Sequence, residues 1–219
     1  MKIFEKIIFN FLNFQINNFY KKNFIKYGDS HESVFWNSKF NQYKRYEEIL
    51  ELLLQQEGKN KKIEISDVGC GYGALYTLLK KENKFKNLIY SGIDINKKFI
   101  DFCKMKFEKK IFFCMASPPK MIDYCIMSGT YNLTKIRNVS LWENYVYNNL
   151  VQCSKKVRKG IIFNLQFSKK AKIHNYIFYC DPIKIMELFA EDFHVISKIS
   201  KTFKNDIIFT IKKKSTFKT

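Results

Sequence analysis

Residues 65–74, Ile65-Ser66-Asp67-Val68-Gly69-Cys70-Gly71-Tyr72-Gly73-Ala74, constrain the fold more than any other segment. A β-strand ending in Val68 leads into three alternating glycines and then into a helix-forming stretch. Glycine admits the positive φ of a tight turn and, lacking Cβ, lets a ligand approach the main chain closely. The unpaired N–H groups of the following helix would face whatever sits there. The segment therefore predicts a strand–turn–helix cradle.

A second feature gives the cradle its chemistry. Ser91-Gly92-Ile93-Asp94 places a carboxylate 21 residues beyond Gly73, at the end of the next apolar run. In a doubly wound sheet such an acid lies over the first strand's loop and can accept both hydroxyls of a ribose. Gly69, Gly71 and Ala74 also satisfy the G-x-G-x-x-A pattern of dinucleotide sites, so NAD and FAD stand as competitors. Asp67 weighs against them, because a carboxylate two residues before the first glycine suits a ligand bearing an ammonium and suits a pyrophosphate poorly.

Strand and helix patterns alternate from residue 63 onward. Strands are expected at 63–68, 88–93, 111–114, 122–127, 160–165, 193–199 and 206–211, and helices at 74–81, 96–106, 141–154 and 182–189, the last started by Asp181 and Pro182. Such alternation implies a largely parallel sheet covered on both faces. Only Ser200 to Asn205 joins the last two strands, which fits a hairpin and not a helical crossover. Ahead of this portion, residues 1 to about 22 read as an amphipathic helix with Ile3, Ile7, Phe11 and Phe14 on the face expected to pack on the domain or on a second copy. Ser38 or Asn41 would cap a second helix running to about Gln56. Residues 1–60 are accordingly expected to form a helical extension, and residues 61–219 the sheet domain.

Asp67-Val68-Gly69-Cys70-Gly71-Tyr72-Gly73 resembles the first motif of class I, Rossmann-like methyltransferases that use S-adenosylmethionine (SAM), and Gly92-Ile93-Asp94-Ile95 resembles their acidic loop. The resemblance spans roughly residues 63–212. It implies a seven-stranded α/β sheet in the order 3-2-1-4-5-7-6 with strand 7 antiparallel, SAM as cofactor and S-adenosylhomocysteine as product. It further implies that Asp67, Gly69 and Gly71, with Cys70 and Gly73 in the same loop, surround the methionine part, that Asp94 binds the ribose, and that Ile95 packs on adenine. Met115 and Ala116 would meet the adenine edge. Ser128 ends the fourth strand beside them. The segments 26–28, 34–37, 42–46, 128–132, 163–165 and 179–182 are similar to those of a group of small bacterial methyltransferases.

On the acceptor side, Ser128-Gly129-Thr130-Tyr131 stands where amino-methylating enzymes of the family resemble one another in an Asn/Asp-Pro-Pro-aromatic tetrad, which disfavours DNA adenine methylation. No Pro-Cys nucleophile is present at that position, so the C5-cytosine mechanism lacks its thiol. His174 and His31 are the candidate general bases; catalytic residues are otherwise unassigned. Trp36, Gln42, Arg45, Gly129, Thr130, Asn132, Asn164 and Tyr179 are candidates for the acceptor pocket or its lid. A small-molecule O or N acceptor is expected. RNA and a membrane lipid reached through the N-terminal helix are the alternatives.

The chain has 219 residues, with 39 Lys and Arg against 20 Asp and Glu, a net charge of +19 that would draw anionic partners or simply reflect a Lys-, Asn- and Ile-rich composition. Six cysteines without C-x-x-C spacing predict reduced thiols and no metal site. Together with the absence of a run of about 18 apolar residues, they point to a cytoplasmic protein. Oligomeric state is open.

Overall fold

The computed structural model describes residues 3–214, with side chains from residue 6; residues 1–2 and 215–219, at the ends of the two expected domains, lie outside the described residues. Helices α1 (Ile3–Tyr27) and α2 (Lys39–Glu57) precede β1 (Ile63–Val68), α3 (Ala74–Lys81), β2 (Leu88–Asp94), α4 (Lys97–Phe107), β3 (Phe112–Cys114) and β4 (Ile122–Met127). Then come α5 (Val139–Ser154), β5 (Val157–Phe167), β6 (Lys172–His174), β7 (Ile177–Cys180), α6 (Pro182–Phe189), β8 (Phe193–Ile199) and β9 (Asp206–Lys213).

β1 pairs in parallel with both β2 and β4, and the sheet grows outward from it, to β3 on one side and to β5 on the other. β9 runs antiparallel to β5 along its length and β8 antiparallel to β9. The order β3-β2-β1-β4-β5-β9-β8 is the expected seven-stranded arrangement, with β9 in the place of its antiparallel strand. Two further strands extend it. The β6–β7 hairpin joins the carboxyl end of β5, where Gln166 and Phe167 pair with Tyr179 and Cys180. Its turn residues, Asn175 and Tyr176, both have positive φ, the geometry of a two-residue primed turn. The usual Asn-Gly signal is absent, and a tyrosine there masks the hairpin in the sequence.

Local chemistry explains the helix starts. The Ser38 hydroxyl accepts from the Asn41 amide, Asn138 caps α5 at the Leu141 amide, and Asp181 caps α6 with Pro182 in the first turn. Two apolar layers flank the sheet. α2, α3 and α4 enclose one around Leu50, Leu53, Phe99 and Phe112, and α5, α6 and part of α1 enclose the other around Trp142, Phe163, Phe178 and Leu12. The core therefore continues across residue 60. α1 departs from expectation in which face it buries. Ile7, Phe11 and Phe14 point to solvent, whereas Ile8, Phe9, Leu12 and Ile16 pack inward. Apolar residues lie all round this helix, so the spacing of one stripe could not decide between two faces. The Ile3 side chain lies outside the described residues.

Candidate functional site

The order of the sheet reverses at β1, and a crevice opens there beyond the carboxyl ends of β1 and β4, where doubly wound sheets hold ligands. Register fixes its floor. Val68 pairs with Ile93, and the Gly69 and Cys70 amides both donate to the Ile93 carbonyl, so Asp94 arrives directly beside the glycine loop. The Asp94 carboxylate then accepts from the Gly71 amide at 3.0 Å and the Asn96 amide at 2.8 Å. Burial raises its pKa to about 6, against the pull of those two donors. Each oxygen retains capacity to accept a further hydrogen bond.

The glycines are needed for different reasons. Gly69 and Gly71 adopt φ of 79° and 51°. A Cβ at Gly69 would stand 2.6 Å from Thr130 Cγ2, and one at Gly71 would stand 3.0 Å from Val34 Cγ1. The loop is thus closed from behind by the fourth-strand loop, whose Thr130 hydroxyl donates to the Val68 carbonyl at 2.7 Å. It is held from above by α2, where the Tyr72 hydroxyl donates to Gln42 Oε1 and Gln42 Nε2 donates to the Tyr46 hydroxyl.

The resulting cavity encloses about 890 Å³, counting its opening. Gly69, Cys70, Gly71, Asp94, Ile95, Met115, Ala116 and Ser128 line it, as do Trp36, Gln42, Gly129 and Thr130. Gly73 instead begins α3, and Asp67 turns into the core, where the Tyr90 hydroxyl donates to it at 3.0 Å and burial raises its pKa to about 7.

Arg45 lies just outside the lining. Its guanidinium sits between the Trp36 and Phe203 rings, 4.5 Å from each centroid, with Nε 3.0 Å from buried Asp206. Asn164 bridges this pair to the site, donating to Asp206 and accepting from the Gly129 amide, both at 2.8 Å. Asn132 instead ties β5 to β7 through the Gln166 and Phe178 amides. Tyr179 lies on the hairpin under Lys172. Neither histidine candidate reaches the cavity: His174 is exposed on β6, and His31 lies in a short turn 3.8 Å from Glu32.

Part of the lining carries no sequence signal linking it to the loop. Ile16, Asn17 and Tyr20 of α1 close one side, and Trp142, Tyr145 and Asn149 of α5 another. The α5 trio recurs at helical spacing after the fourth-strand loop, which could have marked it. α1 is fixed in place when the Tyr145 hydroxyl donates to Asn13 at 2.6 Å and Asn96 Nδ2 donates to the Asn17 carbonyl at 3.3 Å. Two buried oxygens of the lining, Asn17 Oδ1 and Ser128 Oγ, have no hydrogen-bond partner among the described residues.

No protein-family profile matches the chain. It is 30% identical over 129 residues to a Mycobacterium tuberculosis protein named "putative methyltransferase Rv1506c"; the match covers 57% of this chain and 76% of that one. Among solved structures, the fold is similar to a SAM-dependent methyltransferase from Leishmania major, with a TM-score of 0.66 at 12% identity over 90% of this chain and 82% of that one. It is also similar to magnesium protoporphyrin IX methyltransferase from Synechocystis PCC 6803, solved with bound SAM, with a TM-score of 0.56 at 12% identity over 96% and 97% of the two chains. The glycine cradle, the acid that register sets beside it and this kinship agree: the chain belongs to the methyltransferases and has the fold of their class I, SAM-dependent members.

Proposed function

We propose that the cavity holds SAM and presents its methyl group to an O or N atom of a small-molecule acceptor bound beside the fourth-strand loop. One observation carries the reading: a carboxylate, Asp94, pinned by two main-chain amides in an otherwise largely apolar cavity. Its free lone pairs suit the two ribose hydroxyls, and the unpartnered Ser128 Oγ and Asn17 Oδ1 offer further polar contacts. Gly69, Cys70 and Gly71 would border the methionine part, and Ile95, Met115 and Ala116 the adenine. Bound SAM supplies an electrophilic methyl carried on a sulfonium.

The chain's own residues have positioning and exclusion to contribute. Trp36 and Tyr20 line the cavity and would shield bound SAM from water, and the Asn164–Gly129 bond fixes the loop on which the acceptor would rest. Alignment of this kind supplies much of the rate in a displacement. A general base is not evident. Tyr20, Tyr72, Tyr131 and Tyr145 are pushed above the ordinary phenol range, mainly by burial, and burial likewise raises the Cys70 thiol well above its own ordinary value. This favours an acceptor that is nucleophilic without help, such as an amine or an already acidic hydroxyl. The roof formed by α1 and Trp36 supports a small acceptor over a polynucleotide. Incubation with tritiated SAM and a size-fractionated extract tests this: label should enter the low-molecular-weight fraction, and label confined to RNA would refute the small-molecule reading.

A further inference from the structure

The outer face of α1 is left without a partner by the fold. At 100° per residue, Ile7, Phe11, Phe14 and Ile25 fall within about 60° of one another. They are 61%, 55%, 61% and 69% exposed. Exposed Lys21 and Lys22 flank the same face, with Lys6 and Lys26 at its margins, and residues 6–27 contain no acid. The opposite face of the helix is packed on the core or roofs the cavity through Ile16, Asn17 and Tyr20. No helix among the described residues is long and apolar enough to cross a membrane.

From this we infer that α1 docks flat on an anionic lipid surface, its isoleucines and phenylalanines entering the headgroup boundary and its lysines meeting the lipid charge. Exposed aliphatic and phenyl groups flanked by cations are the composition of an interfacial helix. Charge decides between the possible occupants. A second copy would bring another +19 chain and a second set of lysines against this face, whereas an anionic bilayer complements both its charge and its apolar stripe. RNA would satisfy the lysines and leave the isoleucines unpaired.

Co-sedimentation of the full chain with vesicles tests the inference. Vesicles of phosphatidylcholine with phosphatidylglycerol should capture the protein, and vesicles of phosphatidylcholine alone should capture at least tenfold less. F11E/F14E should lose capture on the anionic vesicles by a similar factor, and K21E/K22E should weaken it and blunt its salt dependence. I196E, a control on exposed β8, should behave as the parent. All variants are surface changes, and an unchanged unfolding midpoint confirms their fold. Equal capture by neutral and anionic vesicles, or F11E/F14E binding as the parent does, would overturn the proposal. So would light scattering that shows a dimer abolished by F11E/F14E, which would assign the face to a second copy.

Discussion

Asp94 illustrates how little of a binding residue's role lies in the side chain alone. Its carboxylate is useful because the Gly71 and Asn96 amides fix both oxygens and because the Val68–Ile93 register delivers it to the loop. Asp94→Ala removes the charge-assisted acceptor offered to the ribose, worth about 1.5–3 kcal/mol in all, and should weaken S-adenosylhomocysteine binding about 10- to 100-fold without unfolding the chain. Gly71→Arg, at a φ of 51° and against Val34, should abolish it. Calorimetry on both variants checks this; unchanged affinity in either would contradict the assignment. Asp94 was legible in the sequence because strand, glycine loop and acid form one local pattern. Asp67 shows the boundary of such reading. Its spacing to the glycines suggested a place beside the ligand, but a residue of a buried strand alternates sides, and its side chain meets Tyr90 within the core.

Elements were legible where local chemistry decided them. β1, α3 and α6 have the predicted ends, with Gly69, Gly73 and the Asp181–Pro182 pair each marking a boundary. The β6–β7 hairpin escaped notice because its strands are short and its Asn175-Tyr176 turn lacks glycine. α1 was expected as a helix but not as the roof of the cavity, since its contacts to α4 and α5 span about a hundred residues and leave no periodic trace. α2 does more than cover the sheet. Glu57 at its end accepts from Lys159 of β5 at 2.6 Å, Lys212 of β9 at 3.2 Å and Tyr124 of β4 at 2.6 Å. Although burial opposes it, these donors hold its pKa down to about 2. Glu57→Ala should cost about 1–2 kcal/mol in urea unfolding. A loss under a few tenths would mean that the three strands need no such clamp.

For the molecule as a whole, the unusual charges are the buried ones. Burial raises Asp67, Asp94 and Asp206 to about 7, about 6 and about 6, with Arg45 pulling Asp206 back. Between about pH 4 and 7 the folded chain keeps protons that the unfolded chain has released, so these groups make the ligand-free protein more stable as pH falls through that window. Glu57 acts in the opposite sense, but its contribution is lost only below about pH 4.5. In about 0.2 M salt, which screens the +19 surface, the unfolding midpoint should be higher at pH 5.5 than at pH 7.5. A lower midpoint would show that the buried carboxyls are ionised at little cost.

The most direct test is titration calorimetry of the purified chain at pH 7.5 with S-adenosylhomocysteine and, separately, with NAD. The account predicts saturable one-to-one binding of S-adenosylhomocysteine, competed by SAM, and no heat from NAD. Binding of NAD in preference, or no binding of either adenosyl sulfur compound, would contradict it.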